Sequence, residues 1–325
     1  MIKKNIAVVC GGFSKESEIS IKSASNIINN IDGKIYNAYK VLIEQNGWYV
    51  ECENKKYLVD KNDFSCTINK KKIKFNCAFV IIHGVPGEDG KLQGYFDLLG
   101  IPYTTSSMLV LAMTFNKNVC NNYVRQFGTH IPETLFFERG DKIDIKKIIS
   151  KFGLPLIVKP NNSGSSIGNS LVKKEKDLKP AIINAFKVDD EILLQEYIKG
   201  REITCGVLKK GNKIITFPLT EIVTERDYFD FKAKYGDKQT KEITPARISV
   251  NIEKECKRIS SMLFKELKCK GLSRFDYILK NDKLYFLEVN TVPGMSAESI
   301  IPGQIKTIGM PMKELIGILI EEALR

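Results

Sequence analysis

The sequence predicts a chain of α/β and α+β domains, and three observations carry that expectation. The chain opens as strand, glycine turn and helix. Residues 6–10 are a continuous apolar run of strand length, and Gly11-Gly12 is a turn. Ile19, Ala24, Ile27, Ile28 and Ile31 mark a helix that starts near Glu16 and is ended by Gly33. A second apolar strand over 77–82 runs straight into the loop 83–90, followed by a helix over 91–99 with Gly100 as its cap. From Ser106 onward shorter helices and strands alternate. The opening is that of a doubly wound α/β domain, although no G-x-G-x-x-G is present. The loop 83–90 is not a P-loop, because Val85 and Leu92 stand where that pattern requires Gly and Ser or Thr. These signals divide the chain into an N-terminal α/β domain over 1–104, a small α+β domain over 105–198 and a third domain over 199–325.

The later elements follow the same logic. Helices are expected over 108–113, 117–127, 143–152 and 176–186. Strands are expected over 134–137, 156–159, 192–197, 202–208 and 213–219. From Asn251 a helix shows Ile252, Cys256, Ile259, Leu263 and Leu267, a 4-3-4-4 spacing that makes one buried stripe. A last helix covers 312–325. The polar segment 224–245 is long for a structureless connection, which marks it as functional or mobile.

Composition excludes several classes. Of 50 basic residues 42 are Lys, scattered among Glu and Asp, so the net charge of +12 reads as a solvated surface. A nucleic-acid footprint clusters Arg and Lys with aromatics. The eight Cys form no CxxC and only two His are present, against a structural zinc site. No signal peptide opens the chain, and no apolar run reaches the ~20 residues that span a bilayer. The expectation is a cytosolic protein with reduced thiols.

The segment 273–299 holds the densest chemistry. It reads as two strands, and a period of two places Arg274 with Asp276 on one face and Glu288 with Asn290 on one face. Set among Phe275, Tyr285, Phe286 and Leu287, these groups have three readings: an outward polar stripe, internal pairing, or oxygen ligands for a hard cation such as Mg²⁺. The register separates them. A two-residue turn at 281–282 sets Asp276 opposite Leu287, with Glu288 on the other face. A three-residue loop at 281–283 sets Asp276 opposite Glu288 and Arg274 opposite Asn290. A shared metal site therefore requires the longer loop or a bulge.

Other stretches are weaker alone. The loop 162–168 has two Gly and three Ser beside Lys159, which suits either an exposed linker or a phosphate clamp. The connection 195–202 suits either a strand end or a bed for a flat ligand. Glu16 at a helix start is favoured by the macrodipole whatever it binds. His83 ends a buried strand, where ligands of open α/β sheets sit.

Taken together and in order, GGFSKESEIS, HGVPGEDGKLQGYFDLLGIPY, IVKPNNSGSSIG, FKAKYG, LSRFDYIL and FLEVNTVPGMSAESIIP resemble the D-alanine–D-alanine ligase family of the ATP-grasp superfamily. The resemblance implies a three-domain ATP-grasp fold and an ATP-dependent ligase with two Mg²⁺ or Mn²⁺ ions. It also implies a homodimer in the cytoplasm that makes a peptidoglycan precursor. Lys117, Lys159, Lys234 and the loop carrying Ser163, Gly164 and Ser166 would hold ATP phosphates. Glu196 and Ile198 would contact adenine, and Glu202 the ribose. Asp276, Glu288 and Asn290 would bind the metals. Glu16 would hold the first D-alanine's ammonium, linked to Ser165 and Tyr235, with His83 near that alanine's carboxylate. Arg274 and the Gly294 N–H would steady an oxyanion. Ser299, with Ile300, would bind the second alanine. Ser17 stands where many members carry Arg, and Gln195-Glu196 where some carry Glu-Lys. The nearest alternative is a ligase joining D-Ala to D-lactate or D-serine. Tyr235 speaks against lactate.

Overall fold

A computed structural model describes residues 2–224 and 240–325. Lys234 and Tyr235, assigned above to the phosphate and first-alanine sites, lie outside the described residues.

The first sheet has seven strands in the order β6-β5-β4-β3-β2-β1-β7. Next to its edge strand lies β1 (Lys4–Gly11), parallel to β2 (Tyr36–Glu44) on one side and to β7 (Cys77–Val80) on the other. The strands β3 (Gly47–Cys52), β4 (Lys55–Asp60), β5 (Ser65–Ile68) and β6 (Lys71–Lys74) continue from β2 as an antiparallel meander. Alternation along β1 feeds two cores. Ile6, Val8 and Cys10 pack with Ala24 and Ile27 of α1 (Ser17–Asn30), whereas Ala7 and Val9 pack with Leu92 and Phe96 of α2 (Lys91–Leu99). Helices thus cover both faces, as the opening pattern predicts. The helix α1 ends before Gly33, because Ile31 already has extended backbone.

A four-stranded antiparallel sheet, β10-β9-β11-β8, follows. It consists of β8 (Thr134–Glu138), β9 (Leu156–Pro160), β10 (Ser170–Val172) and β11 (Glu191–Glu196). The helices α5 (Ile145–Phe152) and α6 (Leu178–Phe186) cover one face through Ile148, Leu178 and Ile182. The third sheet runs β15-β14-β12-β16-β17, with β13 (Lys213–Thr216) paired to β12 (Arg201–Lys210). Its other strands are β14 (Thr220–Val223), β15 (Lys241–Ile243), β16 (Leu272–Lys280) and β17 (Lys283–Asn290). The helix α7 (Val250–Glu266) buries Cys256 and Leu263 on it, and Leu267 just beyond the helix joins them, as the stripe predicts.

Packing crosses the linear division of the chain twice. Cys120 and Val124 of α4 (Lys117–Arg125), with Val110 of α3 (Met108–Phe115), enter the core of the third sheet. From the other end, α8 (Ile300–Thr307) and α9 (Met312–Ala323) join the core beneath β1 through Ile301, Leu315 and Leu319. No helix among the described residues is long and apolar enough to cross a membrane.

Candidate active site

The β16–β17 hairpin turns on Asn281 and Asp282, with φ of 49° and 58°, the left-handed pair of a two-residue type I′ turn. Pairing is regular from Lys280↔Lys283 to Tyr277↔Phe286. The register then shifts, and Asp276 pairs with Glu288 and Arg274 with Asn290. Leu287 is the extra residue. Of the two routes to a shared face, the chain takes the tight turn and a bulge. The shift sorts side chains by chemistry: Phe275, Tyr277, Phe286 and Val289 stay in the core beneath, and Glu288 comes to the polar side. Without it, Glu288 would follow Phe286 into an apolar core.

On that side the Arg274 guanidinium donates twice to Asp276, Nε to Oδ1 at 2.9 Å and Nη2 to Oδ2 at 2.8 Å. The Asn290 amide donates to Asp276 Oδ2 at 2.8 Å. Asp276 is 4% exposed, so its charge is satisfied internally as well as available. Oδ2 accepts two of these bonds and Oδ1 one, which leaves a further lone pair on Oδ1. Asp276, Glu288 and the Asn290 carbonyl form an oxygen-only set, the chemistry a hard divalent cation selects. Among the described residues no three His, Cys, Asp or Glu side chains gather into a metal-binding group. Two carboxylates and an amide thus suit a cation that draws its other ligands from a phosphate.

The polar face of the hairpin lines two adjoining cavities. Asp276 and Glu288 line one of about 360 Å³, together with Lys117, Lys159, Ser163, Ser166, Glu196, Ile198 and Glu202. Arg274 and Asn290 line another of about 620 Å³, together with Glu16, His83, Gly164, Ser165, Gly294, Ser299 and Ile300. Glu202 faces both. Most residues assigned to nucleotide line the first cavity and those assigned to substrate the second, but Gly164, assigned to phosphate, lines the second.

The first cavity is positive at its phosphate end. Lys117 Nζ donates to the Ser163 carbonyl and lies 3.8 Å from Glu288 Oε2. Lys159 is buried, with no hydrogen bond or ion pair to any described residue. Burial, and then the neighbouring Lys117 cation, push its pKa down to about 8. Two cations facing one carboxylate leave room for polyphosphate charge. At the other end Ile198 is buried, and Glu196 accepts the Glu133 backbone N–H at 2.7 Å.

In the second cavity Glu16 precedes the first turn of α1 and accepts a hydrogen bond from Ser165 Oγ. Ser165 and Ser166 both have left-handed backbone, which costs roughly 1 kcal/mol per residue and leans their loop toward Glu16. His83 Nδ1 donates to the Val292 carbonyl at 2.9 Å, and its Nε2 is buried without a partner among the described residues. Burial lowers its pKa, against the opposing pull of Glu16.

Glu88, not singled out from the sequence, also lines this cavity. It lies inside the HGVPGEDG loop, and its Oε2 accepts the Gly84 N–H at 2.7 Å. Burial, reinforced by Glu16, pushes its pKa up to about 8. The folded chain therefore keeps a proton between about pH 4.5 and 8 that the unfolded chain has lost, so this group lowers stability as pH rises through that window. Glu88→Gln is expected to remove on the order of 1–3 kcal/mol of that decline. Urea unfolding at pH 5 and pH 9 checks it. Equal slopes in both proteins would contradict the assignment.

Two family models match the chain: "D-ala D-ala ligase N-terminus" over residues 5–106 and "D-ala D-ala ligase C-terminus" over 123–321. The chain is 46% identical over 321 residues to a D-alanine–D-alanine ligase of Azobacteroides pseudotrichonymphae, covering 98% of this chain and 99% of that one. It is 44% identical to the Parabacteroides distasonis D-alanine–D-alanine ligase, covering 100% and 98%. Among solved structures, D-alanyl-alanine synthetase A of Vibrio cholerae superposes with a TM-score of 0.90 at 26% identity over 100% and 99% of the chains. The VanG D-Ala:D-Ser ligase of Enterococcus faecalis superposes at 0.89 and 31% identity over 99% and 100%. The two-cavity site built across the hairpin thus lies in a chain that belongs to the D-alanine–D-alanine ligase family, with its ATP-grasp fold.

Proposed function

We propose that this enzyme joins two D-alanines through an acyl phosphate, using ATP. The observation that carries this reading is the shared polar face of the hairpin, where Asp276 and Glu288 line the cavity that holds Lys117 and Lys159, and Arg274 and Asn290 line the adjoining one. A carboxylate in the second cavity can reach a γ-phosphate in the first across one layer of side chains.

In this mechanism Glu16 and Ser165 hold the first alanine's ammonium, and His83 faces its carboxylate. Lys117, Lys159 and the loop 163–166 hold the ATP phosphates. Glu196 and Ile198 hold adenine, and Glu202 the ribose. A carboxylate oxygen attacks the γ-phosphorus and ADP leaves. The second alanine, with its carboxylate at Ser299 and Ile300, then attacks the acyl carbon through its amine. The C–N bond forms, the carbonyl electron pair moves to oxygen beside Arg274 and the Gly294 N–H, and phosphate leaves as nitrogen loses its proton. Mg²⁺ or Mn²⁺ held by Asp276, Glu288 and Asn290 supplies charge neutralisation on the phosphates. In the same reading Lys234 reaches phosphate, Tyr235 belongs to the loop that closes the site, and the enzyme works as a cytoplasmic homodimer.

The rival reading is D-serine as second substrate, in view of the VanG likeness. The test supplies ATP, Mg²⁺ and equal D-alanine, D-serine and D-lactate. D-alanyl-D-alanine is the expected main product. A predominance of the serine dipeptide or of the depsipeptide overturns the assignment.

A further inference from the structure

The segment that carries Gly294 and Ser299 is gripped from the N-terminal domain at two points. His83 Nδ1 donates to the Val292 carbonyl at 2.9 Å. Three residues on, the Met295 peptide is held on both sides by α1: its N–H donates to Ser23 Oγ at 3.2 Å, and its carbonyl accepts from Asn26 Nδ2 at 2.7 Å. Asn26 is itself oriented, because Asn30 Nδ2 donates to its Oδ1 at 3.0 Å and its carbonyl at 2.8 Å. That leaves the Asn26 amide nitrogen aimed at Met295. The Met295 side chain is buried in the same core as Ala24 and Ile27 of α1. Gly294 therefore lies between two pinned peptides. There is little slack around it, since a Cβ at Gly294 would come within 2.8 Å of Ser299 Oγ.

Glu16 stands just before the first turn of α1, Ser23 two turns later and Asn26 nearly a turn beyond. One rigid helix thus sets the distance between the group assigned to the first substrate and the loop assigned to the oxyanion. We propose that Ser23 and Asn26 are positioning residues that aim the Gly294 N–H at the carbonyl oxygen of the acyl phosphate. This inference rests on the ligase reading above and adds to it the parts that fix the oxyanion donor. A donor displaced by a fraction of an ångström weakens the step that develops the oxyanion and leaves the earlier phosphoryl transfer alone.

The test compares the two half-reactions in Ser23→Ala, Asn26→Ala and Asn26→Asp. The last removes the donor while keeping the shape. Dipeptide formation is measured beside oxygen scrambling in ¹⁸O-labelled ATP, which reports reversible phosphoryl transfer. We expect dipeptide kcat to fall about 10- to 100-fold, KM for ATP to stay within about twofold, and the ratio of scrambling to dipeptide to rise about tenfold or more. The control is Ser25→Ala, whose hydroxyl bonds only the Ile21 carbonyl on the exposed side of α1 and should leave the ratio unchanged. Thermal unfolding of each variant confirms that it folds. A parallel fall in both half-reactions, or an unchanged ratio with normal dipeptide formation, overturns the inference alone. Absence of dipeptide in the unaltered enzyme overturns the ligase reading and the inference with it.

Discussion

Asp276→Asn and Glu288→Gln should each lower kcat by about 10³-fold, a loss of roughly 4 kcal/mol in transition-state stabilisation. Their stabilities should part company. Asp276 is the buried bidentate partner of Arg274, whose side chain is 17% exposed, so neutralising the acid takes a paired negative charge from a largely buried cation. That costs on the order of 2–4 kcal/mol. Glu288 is 29% exposed, and its pair to Lys117 is 3.8 Å long, so Gln there should change stability by less than about 1 kcal/mol. Kinetics and urea unfolding on both variants check the pair of claims. Glu288→Gln with a tenth or more of normal turnover would remove Glu288 from the site.

Lys159→Met should raise KM for ATP at least about tenfold and lower kcat by about 10²-fold, while stabilising the free protein. The cation is buried and unpaired among the described residues, with its pKa pushed down to about 8. Between about pH 8 and 10.5 the unfolded chain keeps a proton that the folded chain has released. Free-enzyme stability therefore rises with pH across that window, and the Met variant should lose the rise. Bound triphosphate favours the charged form, so ATP binding takes up a proton above pH 8. Calorimetry in two buffers of different ionisation enthalpy reads that proton. No buffer dependence at pH 8.5 would mean that Lys159 does not meet the phosphates.

Much of the site was legible in the sequence because its groups lie in short runs whose order and spacing are distinctive. The pairing of Asp276 with Glu288 was legible only as a choice between a longer loop and a bulge. Turn chemistry at Asn281-Asp282 favours the tight turn, and nothing local to Leu287 announces a bulge; the decision lies in keeping Phe286 and Val289 in the core while Glu288 escapes it. Glu88 was hidden by its position inside a Gly-rich loop, where a carboxyl reads as solvated until folding brings Glu16 beside it. The meander over β3–β6 was legible as short hairpins, but not its attachment to β2. The helix α8 was missed, since Pro302 and Gly303 stand within its span and its stability comes from burying Ile301 and Ile305.

The central claim is that a carboxylate in the second cavity is phosphorylated by ATP in the first. It is tested most directly with D-alanine labelled by ¹⁸O in both carboxyl oxygens, given to the enzyme with ATP and Mg²⁺. The account predicts one labelled oxygen in the released phosphate for each dipeptide formed. Dipeptide formed with unlabelled phosphate would contradict it.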